Sequence, residues 1–105
     1  MRDLNFKVVG QKLSKEGDFN DIVVGSKGYL KACFTFNFEW NGFAKVAVFK
    51  ANNSDEVIVK ISPEGECLVP DEVTDGAYVS IRVVGKSKRG QWITSGTVSF
   101  LQSTK

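Results

Sequence analysis

Polar and apolar residues alternate along most of this chain with a period of two, not with the three-to-four spacing of a helix face. In YLKACFTFNFE (residues 29–39), Leu30, Ala32, Phe34, Phe36 and Phe38 fall on one side, and Lys31, Cys33, Thr35, Asn37 and Glu39 on the other. Successive side chains of a strand point to opposite faces, so the run predicts a strand with one buried face. Burying each phenylalanine contributes about 1.5–3 kcal/mol. Three in a row also lack the polar tip that lets Trp or Tyr stack on a ligand while touching water. The row is read as core.

Similar runs recur, each closed by Gly, Pro, Asn or Asp. They predict strands at about 4–13, 44–50, 57–61, 67–70, 77–85 and 91–102, with an ambiguous short one at 21–24. Asn41-Gly42 tolerates the positive φ angles of a two-residue type I′ turn, so WNGF predicts a hairpin between 29–39 and 44–50. Gly96 inside the last run predicts a bulge or kink. Val-Val-Gly occurs at residues 8–10, 23–25 and 83–85, at unequal intervals, and marks strand ends where glycine lets the chain turn. Seven or eight short antiparallel strands in 105 residues predict a single all-β domain, an immunoglobulin-like β-sandwich, with a small open β-barrel as the alternative. Cys33, Trp40 and Cys67 are spaced more closely than the Cys…Trp…Cys set of antibody domains, so that likeness is architectural.

Composition narrows the classes further. The 42% hydrophobic and 25% charged content is that of a globular domain able to build a core without a metal or disulfide framework. A net charge of +2 is too small to imply a nucleic-acid or membrane partner. No run approaches the roughly 18–20 apolar residues that cross a bilayer. The N-terminal MRDLNFKVVGQKL lacks the continuous apolar stretch of a secretory signal. Synthesis in the cytoplasm is the resulting expectation, with Cys33 and Cys67 as reduced, partly buried thiols, a bridge between them being the alternative if their strands are neighbours.

Catalytic chemistry finds little to work with. The chain has no histidine, which removes the commonest general base and metal ligand and leaves a cysteine nucleophile without its usual partner. The acid pairs Asp55/Glu56, Glu64/Glu66 and Asp71/Glu72 sit beside turn residues, where solvated charges are expected. The loop from Gly85 to Gly90 contains Gly-Lys-Ser but has Ser80 where a phosphate loop needs its first glycine. Asn52-Asn53-Ser54, a glycosylation acceptor pattern, reads as a surface turn. No enzyme, cofactor or metal site is expected. The candidates for partner contact are Trp40 and Phe43 beside the Asn-Gly turn, Tyr78, Trp92, and the basic loop residues Lys86, Lys88 and Arg89. A tight turn with three cations also serves to guard strand edges.

Several pieces in succession carry a resemblance. They are the aromatic alternation Phe34, Phe36, Phe38 ending in Glu39-Trp40 and Gly42, then Ala47-Val48-Phe49, then Val69-Pro70-Asp71-Glu72-Val73, then Ile81 to Gly85, and finally Ile93-Thr94. Over roughly residues 4–101 the chain resembles small β-sandwich modules of tailed-bacteriophage structural proteins, from phages of Gram-positive bacteria. Such modules occur in baseplate, tail-fibre and head-fibre proteins or as short virion proteins. The resemblance implies a non-enzymatic virion protein, made in the bacterial host cytoplasm. Its role would be attachment, assembly or decoration of tail or capsid through contacts with other virion proteins or with further copies of itself. It carries over no catalytic residue. Two alternatives stand beside it. One is a carbohydrate-binding module that meets host-surface glycans through Trp40, Trp92 and Tyr78; the other is a small phage inhibitor that meets a host defence protein through the Lys86–Arg89 loop.

Overall fold

A computed structural model describes residues 1–104. Among them the alternating runs form nine strands: β1 (Arg2–Val9), β2 (Lys12–Glu16), β3 (Leu30–Phe36), β4 (Phe43–Ala51), β5 (Val57–Lys60), β6 (Glu66–Leu68), β7 (Tyr78–Ser87), β8 (Trp92–Thr94) and β9 (Val98–Leu101). One sheet has the order β2-β1-β3-β6, and the second β5-β4-β7-β8, with β9 also paired to β7. The two sheets make the expected β-sandwich rather than one sheet closed into a barrel. The chain crosses between them from β3 to β4, from β5 to β6 and from β6 to β7, as in immunoglobulin-like connections. The β1–β3 pair runs parallel, and the other strand pairs run antiparallel.

The core is the set of inward positions that alternation requires. Leu4, Phe6 and Val8 of β1 and Leu30, Ala32 and Phe34 of β3 face Ala47, Phe49 and Ala51 of β4 and Val79, Ile81 and Val83 of β7. Phe6 and Phe34 stack with ring centroids 5.1 Å apart. Gly65 lies against this layer: its φ of +85° is one that L side chains rarely adopt, and a Cβ there would collide with the carbonyl oxygen of Phe34. Its own carbonyl accepts the Phe34 N–H at 2.7 Å.

Strand limits depart from expectation where tertiary contacts intervene. The run 4–13 is two strands, because the chain reverses at Gly10-Gln11 and pairs Val9 with Lys12. Gly10 takes φ +56°, and a Cβ there would sit 3.2 Å from Glu39 Oε1. The run 91–102 is interrupted after Thr94, as Gly96 foretold. There the Ser95 hydroxyl accepts the Val83 N–H at 2.9 Å, and the Gly96 N–H donates to the Gln11 carbonyl at 2.8 Å. The first hairpin therefore docks onto the break in the last strand. The short run at 21–24 contributes a single bridge, Val23 to Ser103.

The expected WNGF hairpin does not form, because β3 and β4 belong to different sheets. The chain leaves β3 at Asn37, winds through a single 3₁₀ turn at Phe38–Trp40, and passes Asn41 at φ −62°, ψ 136°. With Gly42 at φ +80°, these are type II values, not type I′. Burial of Trp40 accounts for the choice. The indole is fully buried, its N–H donates to the Gly10 carbonyl at 2.8 Å, and its ring lies 5.2 Å from Phe36 and 6.4 Å from Phe43. Gly85 clears the space: a Cβ there would stand 3.0 Å from Trp40 Cζ3. A hairpin would have left Trp40 at a solvated tip. The phenylalanine row correspondingly ends early, with Phe34 buried, Phe36 half-buried and Phe38 76% exposed beyond the strand.

Candidate functional site

The second sheet differs from the first on its outward face. In β4, Ala47, Phe49 and Ala51 point into the core, so Ala44, Val46 and Val48 point out. The register then places Val48 between Ile58 and Arg82, Val46 between Lys60 and Val84, Ala44 beside Lys86, and Lys86 beside Trp92. The outcome is an apolar strip made of Ala44, Val46, Val48, Ile58, Val84 and Trp92, which lines a groove of about 440 Å³. By strand geometry the strip extends ~13 Å along β4 and ~14 Å across the sheet. Ile58 and Trp92 at its two sides are 67% and 65% exposed.

Charge frames the strip. Arg82 pairs with Glu56 at 3.5 Å. The Lys86 ammonium sits over the Trp92 ring, 5.1 Å from its centroid, a cation–π contact. Lys88 and Arg89 occupy the exposed turn between β7 and β8. Among the described residues, Lys60, Lys86, Lys88 and Arg89 take part in none of the ion pairs. The face is therefore apolar in its middle and basic at its margins.

The outward face of the first sheet is mainly polar by contrast, with Asp3, Asn5 and Lys7 of β1 beside Lys31, Cys33 and Thr35 of β3, while Val9 and Leu68, each 46% exposed, stand apart on it. Lys31 lies 3.6 Å from both Asp3 and Glu66, and those carboxylates, Asp3 foremost, raise its pKa above the ordinary lysine value. The cysteines sit on neighbouring strands but opposite faces. Cys67 pairs with Ala32 and points inward, whereas Cys33 pairs with Glu66 and points outward, so both thiols are free. Burial pushes the Cys67 thiol up to about 12 and also raises Cys33. Both are protonated at neutral pH, the less reactive form, and of the two only Cys33 is partly exposed.

The proposed contact residues are distributed unevenly. Trp40 is a core residue, a correction to its reading as a contact, because its indole is enclosed at the junction of the sheets. Phe43 is half-buried against it. Lys86 and Trp92 come together, with Lys88 and Arg89 on the adjoining turn. Tyr78 is exposed at the other end of β7, paired with Leu101 of β9. It lies eight positions from Lys86, ~26 Å along the strand, so Tyr78 and Trp92 do not share one stacking platform. The strip residues Val46, Val48, Ile58 and Val84 went unrecognised in the sequence. Their signal was the failure of alternation at Ala47-Val48-Phe49 and Val83-Val84, which makes both faces of those strands apolar.

Among the described residues no three His, Cys, Asp or Glu side chains converge as a metal site. No helix there is long and apolar enough to cross a membrane. Comparison with protein-family models, curated proteins and solved structures gives no match in any of the three.

Proposed function

We propose that this chain is a non-enzymatic module of a bacteriophage virion, which attaches, assembles or decorates tail or capsid by binding another virion protein. The observation that carries the binding part is the continuous apolar strip of the second sheet, solvent-exposed at Ile58 and Trp92, while the opposite face of the sandwich is mainly polar and exposes Val9 and Leu68 apart from each other. Interfaces have this anatomy, an apolar middle with a charged rim and an aromatic anchor. The virion part rests on the ordered resemblance described above. In this reading Trp92 is the anchor, Lys86 holds its ring in place, and Val46, Val48 and Val84 form the floor.

Mass spectrometry of purified particles provides the test. The chain is expected in intact virions, and its Ile58→Asp variant is expected to be lost from them although it folds. Particles that never contain the chain would overturn the proposal. The glycan alternative retains the exposed Trp92 ring but loses Trp40 to the core and Tyr78 to distance. A Trp92 signal that responds to host cell-wall or capsular glycans would favour it instead.

A further inference from the structure

Resting on the docking face just described, we propose that the element seated on it is an amphipathic α-helix of a partner protein, with carboxylates flanking its apolar stripe. The first argument concerns backbone hydrogen bonds. Within the strip, the strands β5, β4, β7 and β8 are already joined in ladders and offer the face side chains only. An extended segment laid on that face would bury its own N–H and C=O groups against Val46 and Val84 without partners. A helix satisfies those groups internally.

Dimensions agree. The strip is ~13 by ~14 Å, close to the roughly 10–12 Å width of one helix with its side chains. The raised flanks, Ile58 on β5 and Trp92 on β8, leave a trough between them over the lower Val46, Val48 and Val84.

Charge selects the sequence of that helix. Lys60 stands beside Val46 on the edge strand β5, and Lys86 lies between Ala44 and Trp92 at one end of the strip, with Lys88 and Arg89 on the turn beyond it, while Glu56 is already matched by Arg82 at 3.5 Å. Lys50, further along β4, turns its ammonium back to the Ala51 and Ser54 carbonyls at 3.4 and 2.9 Å. The margins thus present cations at the β5 edge and at one end of an apolar trough, which acidic flanks would complement. A second copy of this chain would bring the same cations against each other, so self-docking is disfavoured.

The test is a titration of the isotope-labelled chain with three synthetic peptides, followed by amide and indole resonances. One peptide has leucines at i, i+3, i+4 and i+7 flanked by glutamates; the second replaces the glutamates with lysines; the third rearranges the first into strict alternation. The glutamate-flanked helix should shift the Trp92 indole N–H and the Ile58 and Val84 amides while the Trp40 indole, bonded to Gly10, stays put. A Lys60→Glu, Lys86→Glu double variant should weaken that peptide by about tenfold and favour the lysine-flanked one. A stronger response to the alternating peptide, or the same shifts on concentrating the chain alone, overturns the helix. So does silence of all three peptides at millimolar concentration, if Ile58→Asp still removes the chain from particles, since docking then stands without a helix. If Ile58→Asp leaves incorporation intact, the docking face itself falls.

Discussion

The two outward faces of this sandwich are built from the same kind of strand and end with opposite character. On the first sheet the alternation is strict: every second residue of β1 from Leu4 to Val8 is buried, and the residues between face water. On the second sheet β4 and β7 bury Ala47, Phe49 and Ala51 and Val79, Ile81 and Val83 just as completely, yet their outward positions include Val46, Val48 and Val84. Val48 is covered by its neighbours, but a solvated face has no physical need for Val46 and Val84, which stay only half-buried. Stability is secured by the inward set, so apolar groups on the outward side mark where something else is expected to sit. The difference also separates the titratable chemistry. The lysine flanked by two carboxylates lies on the first face, whereas among the described residues Lys60, Lys86, Lys88 and Arg89 around the strip of the second take part in no ion pair.

The contact that joins the two sheets should respond most to mutation. Trp40→Ala should cost about 3–5 kcal/mol in chemical denaturation, since it empties the junction and strips the Gly10 carbonyl of its donor. Next comes a charge placed on each face in turn. Val48 is 5% exposed although it points outward, so Val48→Asp should cost about 3 kcal/mol, whereas Thr35→Asp on the first face should stay within about 0.5 kcal/mol. Equal effects would erase the distinction drawn between the faces.

Alkali should act through the inner side of the first sheet. The folded pKa of Cys67, about 12, lies above its ordinary 9.0. Its contribution to stability is therefore complete below pH ~9 and is lost as pH rises toward ~12, amounting to roughly 1 kcal/mol by pH 10. Urea midpoints measured across that range should fall, and the slope should flatten in Cys67→Ala. In the same molecule a thiol reagent should label Cys33 in the native state and Cys67 only on unfolding. A small stability change is expected at the exposed flank of the proposed contact surface. Ile58→Asp should shift stability by no more than about 0.5 kcal/mol while it abolishes binding, which thermal denaturation alongside the particle assay will check.

The β-sandwich was legible because strand periodicity is local. Leu30, Ala32 and Phe34 share a face whatever the rest of the chain does. The same local rule overran at Phe38, where the chain has already left the strand, and at Asn41-Gly42, whose turn preference suits a hairpin but also suits a crossover. Lys86, Trp92, Lys88 and Arg89 were recognisable as exposed by type and position. Val46, Val48, Ile58 and Val84 were not, because broken alternation shows that both faces of a strand are apolar without showing which face meets water.

The amino-acid order alone settled which stretches of the chain lie in strands, since that follows from side-chain alternation, whereas strand ends shifted and Gly85, expected to end a strand, lies inside β7. Tertiary structure decided which strands are neighbours, which of two apolar faces stays open, and that Trp40 belongs inside. Those outcomes depend on contacts between segments distant along the chain, such as Trp40 with Gly10 and Gly85, and no local pattern encodes the space such a ring must find.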